Sequence, residues 1–145
     1  APANAEVWRM LGEHAIALAA WTTAEQAFRR AVAIDPEHPG VQHGLGVCAL
    51  RRNALDEALE HCREAVGSRY FFPAAHYHLA LATLRLGDPE GALAALRVAI
   101  HQAPRFEEAY ELAMNIELAL GRLMEVAALR QELEGARATG SKGSS

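Results

Sequence analysis

Lysine is nearly missing from this sequence: Lys142 is the only one among its 14 basic residues. Positive charge is carried by scattered arginines, and the net charge is −4. That balance supplies no electrostatic footprint for nucleic acid or for an anionic membrane, so neither is an expected partner. Cysteine is scarce too. Cys48 and Cys62 are too few for a disulfide framework or a zinc site. Reduced thiols point to the cytoplasm, with the periplasm as a second expectation because the sequence begins at Ala1 without Met. No apolar run approaches the ~20 residues a membrane span needs. Alternating β-branched runs are also lacking, so nothing reads as a strand. Aromatic residues number nine, but four of them (Tyr70, Phe71, Phe72 and Tyr77) fall in one short stretch, GSRYFFPAAHYHLA at 67–80, with His76 and His78.

What is present is a period of 34. Leu11 recurs as Leu45 and Leu79; Gly12 as Gly46 and Ala80; Ala24 as Ala58 and Ala92; Ala31 as Ala65 and Ala99. Pro36 is followed by Tyr70 and then by Pro104. Each unit holds two apolar-periodic segments of helical length. Thr22–Glu25 reads as a capping box. Asp88-Pro89 reads as an N-cap with proline at the first helical position, and Pro39 and Pro73 open helices in the same way. The small residues Gly12, Gly46, Ala24, Ala58 and Ala92 recur where two helices must approach closely. The first unit carries Trp8, Leu11, Gly12, Ala24, Phe28, Ala31 and Pro36, which resembles the tetratricopeptide repeat pattern W-x2-L-G-x2-Y…A-x3-F…P, with Ala15 in place of its Tyr.

The expectation is an all-α, right-handed superhelical α-solenoid of about four helix-turn-helix repeats in one domain, 1–137. The units are 5–38, 39–72, 73–106 and a degenerate capping unit, 107–135. In that cap the second helix, LMEVAALRQEL, is read as placing Leu123, Val126, Ala127 and Leu133 on its inner face and polar residues outside. Residues 138–145 read as a flexible tail or tag remnant of an excised fragment.

The search for chemistry returns little. Gly44, Gly46 and Ala49 match a dinucleotide fingerprint, yet they lie inside a predicted helix and not at a strand-to-helix turn. His76 and His78, two apart on a helix, cannot chelate one ion. His43 and His78, one residue off the repeat period, are placed on adjacent rungs of one surface. Cys62 takes the Phe28 column as a small core residue, and the carboxylates form no buried acid–base pair. The chain reads as no enzyme, with no cofactor and no metal.

In the family that the sequence resembles, the first helix of each pair lines a concave groove that holds peptides. Carried onto this chain, the groove would be lined by Arg9, Glu13, His43, Val47, Leu50, Arg51, Tyr77, Leu81, Leu84, Arg85, Glu111 and Asn115. Its middle is apolar and its ends are acidic, at Glu6, Glu13, Glu108 and Glu111. The alternative for the leucines is the core. A family subgroup grips chaperone C-terminal carboxylates with a basic and asparagine clamp. Arg9 fits the first basic position, but Glu13, Gly44, Ala74 and His78 stand where Asn, Asn, Lys and Arg are needed, which argues against that ligand. Phe71 has no counterpart, since its column is otherwise Glu37 and Arg105. Tyr70 and Phe71 are therefore a candidate edge patch, unless Phe71 folds back onto the solenoid. The leading functional expectation is a non-catalytic module binding a protein or peptide partner. The second is an accessory or self-assembling region of a larger bacterial enzyme, of transferase or phosphatase type, or of a secretion or envelope assembly. Homo-oligomers would form through the solenoid ends or the edge patch.

Overall fold

Eight helices make up the described residues, 4–142, of this computed structural model: α1 (Ala5–Ala17), α2 (Trp21–Ile34), α3 (Pro39–Arg51), α4 (Leu55–Ser68), α5 (Pro73–Arg85), α6 (Pro89–Gln102), α7 (Glu107–Ala119) and α8 (Leu123–Lys142). The 34-residue period reappears in the backbone of the turns. Ala19, Asn53, Gly87 and Gly121, one period apart, adopt left-handed φ values of 57°, 60°, 91° and 75°. The residue after each returns its N–H to a carbonyl five residues back: Ala20 to Ala15 at 2.8 Å, Ala54 to Ala49 at 2.9 Å, Asp88 to Thr83 at 3.1 Å and Arg122 to Glu117 at 2.9 Å. This is the Schellman closure, which satisfies carbonyls left over at a helix end. It leaves a single residue before the second helix, so α2 starts at Trp21 with Ala20 at the N-cap and no side-chain cap. The Thr22–Glu25 capping box therefore does not form. Glu25 instead accepts from Arg29 at 3.2 Å and Arg52 at 2.9 Å. Asp88 does cap α6, accepting from the Gly91 N–H at 2.8 Å. Pro39, Pro73 and Pro89 open α3, α5 and α6.

Helices pair in sequence as α1–α2, α3–α4, α5–α6 and α7–α8, and each second helix packs on the next first helix. First helices also touch one another, α1 with α3 and α3 with α5, without a matching contact between α2 and α4 or α4 and α6. The layer of first helices is therefore the inner one.

Large and small residues alternate across each joint. Phe28, fully buried, presses its ring on Gly12 and Gly44; a Cβ at Gly12 would lie 2.7 Å from the ring. One period on, Cys62 takes the Phe28 place, and a Cβ at Gly46 would lie 2.8 Å from its sulfur. Leu96 follows, with Ala80 buried in the same cluster. The column keeps helix spacing short by pairing bulk with absence of bulk. Position 42 and its repeat at 76 tie the rungs together: Gln42 Nε2 donates to the Pro36 carbonyl at 2.7 Å, and His76 Nε2 donates to the Tyr70 carbonyl at 2.8 Å.

Two expectations fail at the C-terminal end. The inward side chains of α8 are Leu129 and Leu133, 3% and 5% exposed, flanked by the partly buried Val126 and Ala136. Leu123 and Ala127 face outward instead, Leu123 being 66% exposed. The spacing of 126, 129, 133 and 136 is a 3-4-3 seam, so the expected face holds at Val126 and Leu133 and fails at Leu123 and Ala127. The helix also runs on to Lys142, so residues 138–142 are helical and not tail, while 143–145 lie outside the described residues.

Candidate functional site

The first helices α1, α3, α5 and α7 place one column of side chains along the inner face: Arg9, His43, Tyr77 and Glu111, one period apart. The N-cap residues of α3, α5 and α7 (His38, Phe72 and Phe106) form a second column at the same period. Because each first helix starts beside the body of the preceding one, the two columns interleave. Phe72 lies 4.9 Å from His43, and Phe106 lies 5.3 Å from Tyr77, centroid to centroid. His43 stands 4.9 Å from His78, and His78 stands 5.2 Å from Tyr77. Phe72, His43, His78, Tyr77 and Phe106 thus make a continuous ladder of rings across three rungs. Arg69 covers its outer end, 5.3 Å above Phe72.

His43 and His78 do more than stack. His78 Nδ1 lies 2.8 Å from the Ala74 carbonyl and 2.8 Å from His43 Nε2. The carbonyl can only accept, so Nδ1 carries the proton and His43 Nε2 faces it with a lone pair. One proton fits between the two rings and a second does not. Burial, and then the neighbouring His78, pull His43 down to about 3, and burial lowers His78 as well. Both imidazoles are neutral at pH 7.

Two clefts adjoin the ladder and share Glu13. The smaller, about 280 Å³, is lined by Ile16, His43, Gly44, Val47 and His78 as well. The larger, about 630 Å³, is polar and lies towards the loops, with Glu6, Arg9, His38, Ser68, Arg69 and Phe72 among its walls. Arg9 is clamped between Glu6, at 3.0 Å from its Nε, and Glu13. The Arg9 hydrogen bond is the main reason Glu6 is held down to about 2.

The expected groove residues divide into two groups. Arg9, His43, Val47 and Tyr77 are partly buried along the ladder; Glu13, Glu111 and Asn115 are exposed at its ends. Leu50 is only 6% exposed and packs with Ala49, Ala58 and Ala82, so it is core and not groove. Leu81 rests on that cluster and Leu84 on the next one, each partly buried. Arg51 and Arg85 reach the surface but are engaged: Arg51 lies 5.5 Å over Trp21, and Arg85 donates to the Leu50 carbonyl at 3.3 Å. Tyr70 and Phe71 are 68% and 66% exposed on the outer edge, so Phe71 does not fold back. Phe72 and Phe106 belong to the ladder, although the expected lining does not include them. Their signal was an offset of 29, since 72 follows 43, and 106 follows 77, by the same count.

For reactive groups, Cys48 and Cys62 are buried, and burial pushes their thiols up to about 11 and about 12. Such thiols are inert at neutral pH. The His61 ring is engaged by Gln42, donating to its Oε1 at 2.7 Å. Gly44 and Gly46 lie mid-helix against side chains, not at a phosphate-binding turn. Among the described residues no three His, Cys, Asp or Glu side chains gather as a metal site, and no helix is long and apolar enough to cross a membrane.

Comparison with known proteins agrees with this geometry. A curated relative, the TPR repeat-containing thioredoxin TTL4 of Arabidopsis thaliana, is 34% identical over 65 residues, 45% of this chain. The match spans only 10% of that protein's length. Among solved structures, MamA superposes with a TM-score of 0.84 at 19% identity, covering 97% of this chain and 82% of that one. The first TPR of Spaghetti (RPAP3), solved bound to the HSP90 peptide SRMEEVD, gives 0.75 at 19% identity, covering 81% and 94%. At those identities the likeness is one of fold. The tetratricopeptide repeat model matches the sequence itself over residues 1–39, 10–70 and 63–107. With the 34-residue turns, the glycine-seated Phe28 and the helix pairing already in place, these matches show that the chain belongs to the tetratricopeptide repeat family.

Proposed function

We propose that this chain is a non-catalytic protein-interaction module that holds a peptide or partner segment along its inner face. One observation carries the reading: the aromatic ladder and its 280 Å³ cleft leave apolar side chains partly open on the layer where the first helices converge. A cleft that size admits about one large side chain. Burying such an anchor is worth roughly 1.5–3 kcal/mol before ordering costs. The helical backbone offers no free edge for strand addition, so recognition falls to side chains. The acidic peptide in the Spaghetti complex is not the ligand proposed here, because Glu13, Gly44, Ala74 and His78 offer no carboxylate clamp. The second reading, repeats serving an enzyme within a longer chain, is favoured by the thioredoxin relative, of which this segment matches a tenth. The chemistry would then reside outside these helices.

The test is selection of a random 12-residue peptide display library on the wild-type chain, with Val47→Asp as counter-target. Circular dichroism of the variant confirms that it remains helical. Peptides enriched on wild type and lost on Val47→Asp are the expected result. Equal enrichment on both targets, or none on either, would overturn the groove as the binding surface.

A further inference from the structure

We infer that the segment held by this groove is an extended stretch of a partner protein with an apolar centre and a cationic side chain towards each end. The inference rests on the groove reading above and goes on to the chemistry of the occupant. The smaller cleft has one charged side chain in its wall, Glu13, at the rim of a surface otherwise made by Ile16, Val47 and two imidazoles. Glu13 is half exposed and shares a single Arg9 with Glu6, so two carboxylates face one guanidinium. A lysine or arginine entering there would lay its methylenes on Ile16 and Val47 and bring its head to an under-neutralised carboxylate. At the other end of the ladder, Glu108 and Glu111 are exposed and within electrostatic reach of the Tyr77 phenol. Among the described residues no ion pair takes up either one.

Between these poles the surface is uncharged. The proton held between His43 and His78 leaves no place for a second at His43 Nε2, burial disfavours a charged His78 as well, and Val47, Tyr77 and Leu81 supply only apolar area and a phenol. The nearby cations do not cancel the poles. Arg51 is over Trp21, Arg85 is bound to a main-chain carbonyl, and Arg69 is stacked on Phe72 in the larger cleft; Arg137 is within electrostatic reach of Glu111 but is paired with Glu107 at 2.7 Å. From α1 to α7 there are three steps between first helices, each at least the about 8–10 Å of packed helices. An extended chain needs at least roughly seven to nine residues to cover that distance. The occupant therefore carries two basic residues at least that far apart, with apolar residues between them.

The same display library reads this out. Sequences that depend on Val47 should carry Lys or Arg at both ends of an apolar run. A representative peptide should weaken by about tenfold on Glu13→Lys, and likewise on the double variant Glu108→Lys/Glu111→Lys. Its affinity should also fall with added salt. Replacing one terminal basic residue of the peptide by Glu should recover binding to the matching variant only. Val47-dependent peptides that are acidic, or that show no charge preference, would overturn the inference while leaving groove binding intact. Light scattering of the chain without peptide covers the remaining occupant: a dimer abolished by Val47→Asp would mean that a second copy fills the groove, and would also overturn it.

Discussion

Ala19 occupies a position that the other repeats give to Asn53, Gly87 and Gly121, and it does so at φ 57°. A side chain with a Cβ is strained there, by roughly 1–2 kcal/mol, and part of that is recovered by glycine despite its freer unfolded state. Ala19→Gly should therefore raise stability by about 0.5–1 kcal/mol, seen as a rise of about 1–4 °C in melting temperature. An unchanged or lower midpoint would mean that the turn relaxes around alanine. The histidine pair makes a prediction of opposite sign. In the unfolded chain an imidazole takes its proton near 6.5, whereas folded His43 waits until about 3. Between those values the unfolded state binds more protons. Stability is thus full above about pH 6.5 and falls as pH drops, by at most about 1.4 kcal/mol per unit for each imidazole. Charged groups near the pair are Glu13 from α1 and, beyond the flanking rings, Arg69 before α5 and Glu108 and Glu111 from α7. Urea midpoints at pH 7 and pH 5 should drop further for wild type than for His43→Gln, and equal drops would place the acid sensitivity elsewhere.

Among the elements, α8 separates what the sequence discloses from what it withholds. Leu133→Ala should cost about 2–4 kcal/mol in urea unfolding, and Leu123→Ser should stay within about 0.5 kcal/mol. A comparable cost at Leu123 would restore the face first expected for the helix, which held both leucines. The 34-residue columns were readable because Gly12, Gly46, Ala24, Ala58 and Ala92 answer the same close approach in each repeat. The terminal helix has no later unit to compare with, and its leucines fit two rotations of a 3.6-residue period. The capping box failed for a different reason: the left-handed turn puts Ala20 at the N-cap of α2, where the equivalent Asp88 caps α6, and alanine has no side-chain acceptor to offer. Leu50 and Leu84 share a column, yet one is core and the other only partly covered. Their depth depends on what the following helices present, α4 and α5 to Leu50 and the cluster of α6 and α7 to Leu84, which no single column reports. The His43–His78 hydrogen bond was half legible. Adjacency followed from the period, but the shared proton depends on the Ala74 carbonyl.

At the scale of the whole molecule, each helix pair touches only its neighbours, so stability is a sum of local and nearest-neighbour contributions. Among the described residues α3 to α6 are flanked on both sides, whereas α1 and α8 have a flank on one side. Amide hydrogen exchange should be slowest in α3–α6 and fastest in α1 and α8. Uniform protection along the chain would mean that the solenoid opens only as a whole. The placement of the two tryptophans turns this into an optical experiment. Trp8 and Trp21 both belong to the first helix pair, under Arg30 and Arg51, while all three tyrosines lie from residue 70 onward. Indole emission thus reports on one end of the solenoid alone, and far-ultraviolet dichroism averages over all of it. If the first helix pair of this chain frays first, the fluorescence transition precedes the dichroism transition in denaturant, and the chain carries its own probe of that pair without any label.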